Sequence, residues 1–285
     1  MGSGYGKLAC FVRIAPLVVL GASAAADATP SKKEVLQRAA KYIDAQAELF
    51  PQLVVDERCS QTLAQRVKSS TTSPPRVIDT RADFAWIRLD GIPGAIGVRD
   101  VREVDGKAVG GEDRLEDLLR RPTASSIVAA RTLLAESARY NVGPLWRNVN
   151  LPTTALFFLH RSLQPRFSWK VQRIEGSAVV LSFKERERPT VIRGFNNEPV
   201  FSRGRIWIDP ATGVAHRTEL DTEARDLEGH TTYYQLLVEF AVDESLHLLL
   251  PRRLREHYET PAEVVDGEAE YVNYRRFQTE GRLVR

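Results

Sequence analysis

The feature that most constrains this chain is a strict alternation of apolar and polar residues in its C-terminal half. The alternation runs through residues 167–172, 179–183 and 236–242. Successive side chains of a β-strand point to opposite faces, so each run predicts a strand with one apolar and one wetted face. Antiparallel sheets tolerate one solvated face. The C-terminal half is therefore predicted to be an antiparallel meander whose apolar face must be covered.

Two short sequences mark tight connections between predicted strands. Asp105-Gly106 is a hairpin dipeptide, because glycine adopts the positive φ that such turns require. Residues 209–213 read Asp-Pro-Ala-Thr-Gly, with proline placed for a type I turn and glycine for the bulge that follows it. Both predict that the flanking strands pair as neighbours.

Helices are predicted at two places. Ser31 and Glu34 have the spacing of a capping box, and Pro51 ends the periodic segment that follows. A second helical segment interrupts the strands at about 112–160. The order of elements predicts an α+β fold. One face of the first helix carries Leu36, Ala39, Ala40, Ile43, Ala47 and Phe50.

The first 26 residues have the composition of a secretory signal peptide. Lys7 and Arg13 precede a short apolar run, and Ala24-Ala25-Ala26 supplies the small residues of a cleavage site, with cleavage after Ala24 as the alternative. The apolar run is shorter than the roughly 20 residues that span a bilayer. We therefore expect an exported protein, periplasmic or secreted, with no stable transmembrane anchor after cleavage and one domain over residues 27–285.

Charge and cysteine content argue against nucleic-acid binding and against an intramolecular disulfide. Without Lys7 and Arg13, the 40 basic residues fall to 38 against 37 acidic ones, which gives no support for nucleic-acid binding. Cys10 leaves with the signal peptide, so Cys59 is the single mature cysteine and an intramolecular disulfide is excluded. Cys59 is expected either to be buried or to pair with another molecule.

Motifs for catalysis, metal binding and cofactors were not found. The chain lacks a G-x-S-x-G elbow, an H-E-x-x-H helix and a C-x-x-C pair, and its five histidines have no local ligand spacing. We predict no catalytic residue, metal or cofactor. His216 is interpreted either as a polar group at a cavity wall or as a cross-strand hydrogen-bonding residue.

The turn at residues 207–213, Trp-Ile-Asp-Pro-Ala-Thr-Gly, is followed by a returning strand that contains Arg217. With the leading helix and the successive antiparallel strands, it resembles the periplasmic lipoprotein-carrier superfamily. Residues 137–143 and 271–278 also resemble segments of exported bacterial proteins. The carrier resemblance implies a strongly curved antiparallel sheet, an open half barrel, with the N-terminal helix and the helical insertion on its concave side. It does not extend to residues 112–160.

These observations lead to a functional hypothesis in which apolar strand residues line a half-barrel cavity. The expected function is non-enzymatic binding of a hydrophobic ligand, a lipid or an acylated polypeptide or lipoprotein, in the cell envelope. If the core is sealed, the alternative function is a protein-interaction or sensing module with an envelope protein as partner. A third hypothesis is a hydrolase whose active site is not recognised in the sequence. The candidate ligand-binding residues are Trp146, Phe167, Trp169, Leu181, Phe183, Trp207 and His216.

Overall fold

The computed structural model describes residues 30–66, 74–88, 95–110, 114–120, 124–144, 147, 150–194, 197–225, 229–278 and 282–284. The predicted signal peptide and Trp146 lie outside the described residues.

Most of the described chain forms β-strands. Their bounds are β1 Leu53–Gln65, β2 Arg76–Arg88, β3 Ala95–Val104, β4 Lys107–Ala108, β5 Phe167–Glu175, β6 Ala178–Glu185, β7 Ile192–Arg193, β8 Pro199–Val200, β9 Ser202–Ile208, β10 Ala215–Arg225, β11 Thr231–Asp243, β12 Leu248–Glu259, β13 Glu263–Gln278 and β14 Arg282–Val284. All pairings are antiparallel, which confirms the predicted sheet type.

One large sheet contains twelve of these strands, and β7 pairs with β8 separately. The sheet order is β4-β3-β2-β1-β13-β12-β11-β10-β9-β6-β5, with β14 beside β13. Two meanders, β1 to β4 and β5 to β13, are thus joined through the long β1–β13 pair. Both predicted hairpin turns are confirmed: Asp105-Gly106 links β3 to β4, and residues 209–214 link β9 to β10.

Helix α1, Lys32–Leu49, covers one face of the sheet, which we call the inner face. Its predicted capping box is present: Ser31 N donates to Glu34 Oε2 at 2.7 Å, and Glu34 N donates to Ser31 Oγ at 3.3 Å. Gly213, at φ +82, lies so close to the Arg38 backbone that a Cβ atom would fall 2.3 Å from its carbonyl carbon. The β9–β10 turn is therefore packed directly against α1.

The helical insertion is confirmed as α2, Arg114–Arg120, and α3, Ala124–Ala138, but these helices do not join α1. They pack on the opposite face, here the outer face. The expected placement beside α1 is wrong for both helices, because β2 is apolar on both sides and each side needs a cover. The outer-face core contains Val54, Ala85, Ile87, Val98, Leu115, Leu118, Ala130, Leu133 and Phe277.

Residues 150–166 then lie on the inner face. Three short 3₁₀ turns, Phe50–Gln52, Leu156–Leu159 and Gln164–Arg166, complete the helical segments. Phe158 and Leu159 are buried in the inner core together with Val35 and Ile43 of α1. Within the described ranges, no helix combines the length and apolarity that crossing a bilayer requires.

Candidate functional site

A cavity of about 730 Å³ lies on the inner face beneath the described residues of the segment 139–153, namely 139–144, 147 and 150–153, here called the connector. The C-terminal half of α3 forms part of its rim, because α3 packs against β3 near the edge of the sheet and so borders both faces. Eleven of its 25 lining residues are small or aliphatic and form an apolar wall. These are Ala82, Ala95, Ile96, Gly97, Val101, Leu134, Ala135, Ala138, Leu151, Leu254 and Ala269.

A buried ion pair lies on the floor of this cavity. Arg99 of β3 donates to Glu57 of β1 twice, from Nε at 2.5 Å and from Nη2 at 2.9 Å. Tyr271 OH donates to Glu57 Oε1 at 2.7 Å, and Arg99 Nη2 also donates to the Asn150 carbonyl at 2.8 Å. Glu57 is only 3% exposed. Because the carboxylate is paired and hydrogen-bonded, its charge is tolerated away from water.

A second buried pair joins the connector to the sheet. Arg147 Nη1 donates to Glu256 Oε1 of β12 at 2.7 Å, and Tyr258 OH donates to Glu256 Oε2 at 2.8 Å. Arg147 also donates to the Gln61 side-chain oxygen. That oxygen accepts from the Val142 backbone N–H at 3.1 Å. The connector is therefore held over the sheet by directed polar contacts as well as by packing.

Local sequence explains how Glu256 fits beneath the connector. Its partner across the β12–β13 pair is Gly267. A Cβ atom at Gly267 would lie 2.5 Å from Glu256 Oε1, so any other residue would displace the carboxylate. Glycine in a strand interior commonly marks such a close approach.

Cys59 lines the same cavity as a free thiol. Burial raises its pKa, and the nearby carboxylates of Glu256 and Glu57 raise it further, while Arg99 and Arg147 oppose them only in part. The thiol is consequently neutral at physiological pH. Since the thiolate is the nucleophilic form, this environment disfavours covalent chemistry at Cys59.

Four predicted ligand-binding residues lie elsewhere on the inner face. Phe167, Trp169, Leu181 and Phe183 are all nearly inaccessible and pack with Phe158. The ring centroids of Phe158 and Phe167 are 4.7 Å apart, and those of Trp169 and Phe183 are 5.6 Å apart. None of the four lines the cavity under the connector. Their part in ligand binding stays a prediction.

Trp207 and His216 occupy positions that differ from the expected ones. Trp207 points to the outer face, because Ile206 and Ile208 on either side of it take the inner positions. The guanidinium of Arg217 lies 4.5 Å from the centre of its ring. His216 is exposed, since a bulge next to Ala215 interrupts the alternation. The expectation that Trp207 shares a face with Phe183 is therefore wrong.

The residues that build the cavity floor were not predicted, although the sequence holds a signal for two of them. Glu57 falls between Val55 and Cys59, and Glu256 falls between Leu254 and Tyr258, each at a position where the alternation calls for an apolar residue. A charged residue there must find a buried partner. No comparable pattern marks Arg147.

Neither a metal site nor a known relative indicates a function for this cavity. Across the described ranges, no three side chains of His, Cys, Asp or Glu come together as a potential metal site. No protein-family model matches the chain, and no curated protein matches its sequence.

Proposed function

We propose that this chain is a non-enzymatic binding protein that holds one amphipathic molecule, a lipid or the acylated end of a polypeptide, in the cavity under the connector. The observation that carries this proposal is the joint presence of an aliphatic wall and buried, oriented polar groups around one space of about 730 Å³. Binding sites for small molecules typically have this size and this mixture of lining groups.

The energetics favour such a ligand. Each methylene group transferred from water to the aliphatic wall contributes about 0.8 kcal/mol. A ligand that excludes water from the floor pays a small desolvation cost, because Glu57 and Glu256 already have arginine and tyrosine partners. A larger depression of about 1310 Å³ on the outer face is lined mainly by charged side chains, which an acyl chain would desolvate at a cost.

Binding without chemical conversion is favoured over hydrolysis. The raised pKa of Cys59 keeps the thiol protonated. Both carboxylates on the floor already accept hydrogen bonds from an arginine and a tyrosine. Neither arrangement resembles an activated nucleophile with a free general base.

The half-barrel shape and the envelope location belong to the same proposal. Lys32 Nζ donates to the Trp169 carbonyl on β5, and Arg88 at the end of β2 donates to Glu48. Strands β2 and β5 are eight places apart in the sheet, so they would lie ~38 Å apart if the sheet were flat. The axis of α1 rises ~24 Å between Lys32 and Glu48. Contacts from both ends of one helix with strands this far apart support a sheet that curves around α1. The periplasmic or secreted location depends on the signal-like residues 1–26.

A blocking variant tests the proposal. Ala135 is an exposed residue of α3 on the cavity rim, and Ala135→Phe should fill the entrance without disturbing the core. Titration with a fluorescent long-chain fatty acid should show saturable binding that this variant weakens at least about tenfold, or ~1.4 kcal/mol.

The matched control is Val128→Phe, on the same helix and 66% exposed but outside the cavity lining. It should bind like the parent chain. Equal binding by both variants, or no binding by the parent, would refute the proposed site. Native mass spectrometry of protein purified from its own envelope fraction would identify the bound molecule.

A second function is favoured by the exposure of Val128 and by the sealed aromatic cluster. In this reading α3 presents an apolar contact to an envelope protein. Crosslinking in intact cells should then lose a specific partner in Val128→Asp but retain it in Ala135→Phe. The opposite result would favour the ligand-binding function.

A further inference from the structure

The side chains that line the cavity under the connector do not balance in charge. Three arginines, Arg99, Arg131 and Arg147, face two glutamates, Glu57 and Glu256. Arg99 and Arg147 are each committed to one glutamate. Arg131 has no carboxylate partner among the described residues. The lining therefore carries one uncompensated positive charge.

Arg131 is placed where an entering molecule would meet it. It is exposed on α3, whereas Arg147 is 7% exposed and lies under the connector. Leu134, Ala135 and Ala138 of the same helix also border the cavity. The unpaired charge thus stands beside the apolar part of the rim, as an amphiphile with a charged end requires.

A second observation concerns the deep arginine. Arg147 Nε is buried and has no hydrogen-bond acceptor, although its other guanidinium nitrogens bond to Glu256 and Gln61. A buried donor without a partner is costly, and such groups call for an explanation. The Nε atom is covered by protein, so an acceptor reaches it only when the Arg147 side chain shifts toward the cavity that it lines. A ligand with donors alone would not satisfy it in any arrangement.

From these two features we infer that the cavity selects an amphiphile with an anionic, acceptor-bearing head group, and that Arg131 is the counter-charge for that head group. This inference rests on the proposed function and narrows its ligand class. A carboxylate and a phosphate share the required chemistry. A primary amine lacks it on both counts, because it is cationic and presents only donors.

The test compares four amphiphiles with the same saturated chain: a carboxylate, a phosphate monoester, an alcohol and an amine. Each displaces a bound fluorescent probe from the full chain at low ionic strength. The anions should bind at least about tenfold more tightly than the alcohol, and the amine should bind most weakly. The ratio of the two anions distinguishes a carboxylate source from a phosphate source.

Arg131→Gln should remove the preference of the anions over the alcohol, so that the carboxylate, the phosphate and the alcohol bind with similar affinity. Its matched control is Arg139→Gln, which removes the same charge just beyond α3 from an exposed residue that does not line the cavity. The control should keep the preference. Added salt should weaken anion binding by the parent chain more than by Arg131→Gln.

Other outcomes would overturn the inference in separable ways. Equal affinity for the carboxylate and the alcohol would refute anion selection but leave the binding function intact, provided that Ala135→Phe still blocks both. A preference that survives Arg131→Gln would refute the role of Arg131. Failure of all four amphiphiles to displace or replace the probe would refute the proposed function itself.

Discussion

The two ends of the inner face are shielded from water in different ways. At the β5–β6–β9 end, aromatic rings pack against one another and bury the sheet, with centroid distances of 4.7 and 5.7 Å around Phe167. At the β1–β3 end, contacts of Arg147, Gln61 and Asn150 hold the connector over a cavity with a wall of small and aliphatic side chains. Directed polar contacts fix a cover at a set distance without filling the space below it. Sealed and hollow regions can therefore coexist on one continuous face.

The largest expected effect is on the sealed end. Phe183→Ala removes a ring that contacts Phe167, Trp169 and Phe158, so we expect the free energy of unfolding to fall by about 3–5 kcal/mol. Urea denaturation measures it. The exposed Val242→Ala should change stability by less than about 0.5 kcal/mol. A loss below ~1 kcal/mol at Phe183 would mean that this end is not tightly packed.

The next effect concerns the polar cover. Arg147→Met leaves the Glu256 carboxylate buried without its cation, and we expect a loss of about 3 kcal/mol. Adding Glu256→Leu should restore most of it, because no unpaired charge then remains. Denaturant unfolding of both single variants and the double variant measures the coupling. Strictly additive losses would contradict a buried ion pair at this position.

A smaller effect contrasts the two ends directly by adding volume. Ala215 of β10 and Ala269 of β13 are both buried in the inner core, but only Ala269 borders the cavity. Ala215→Leu should cost about 1–3 kcal/mol through overpacking, and Ala269→Leu less than about 1 kcal/mol. Ala269→Leu should also lower ligand affinity. Equal costs would indicate that the cavity end is as closely packed as the aromatic end.

The smallest effect is on pH dependence. Burial raises the pKa of Cys59 above its usual value of 9.0, so the folded state favours the neutral thiol. Its contribution to stability is complete below about pH 9 and is lost as the pH rises toward the folded-state pKa. Unfolding measured from pH 7 to 10 should show a smaller alkaline loss in Cys59→Ala than in the parent chain.

Thiol alkylation provides an independent measurement. At pH 8, Cys59 should react many times more slowly in the folded chain than in urea, because both access and thiolate fraction are reduced. A bound amphiphile should slow the reaction further, since Cys59 lines the proposed site. Reaction at the unfolded rate would contradict the burial of this thiol.

Much of the local architecture follows from neighbouring residues alone. The capping box at Ser31 and Glu34, the Asp105-Gly106 turn and the residue 209–213 turn involve contacts within a few positions, so their geometry is encoded locally. Placement of Trp207 was not predictable from its aromatic character. Alternation offers two faces, and Ile206 and Ile208 take the inner one.

Only part of the candidate site could be predicted from the sequence. Charged residues at the inward positions 57 and 256 are visible in the alternation, but their partners are not. Arg99 reaches Glu57 because β3 lies two strands from β1, and Arg147 reaches Glu256 although 109 residues separate them in the chain. Periodicity reports which way a side chain points and carries no information about which distant segment it meets.

The sequence by itself determined the strand periods, the turns and the start of α1, because each depends on short-range sterics and hydrogen bonds. Only the tertiary structure decided that β1 pairs with β13, that α2 and α3 cover the outer face, and that the connector returns over Glu57 and Glu256. Those outcomes depend on long-range burial of apolar area and buried charge. Such terms are settled by the whole packed molecule rather than by any segment.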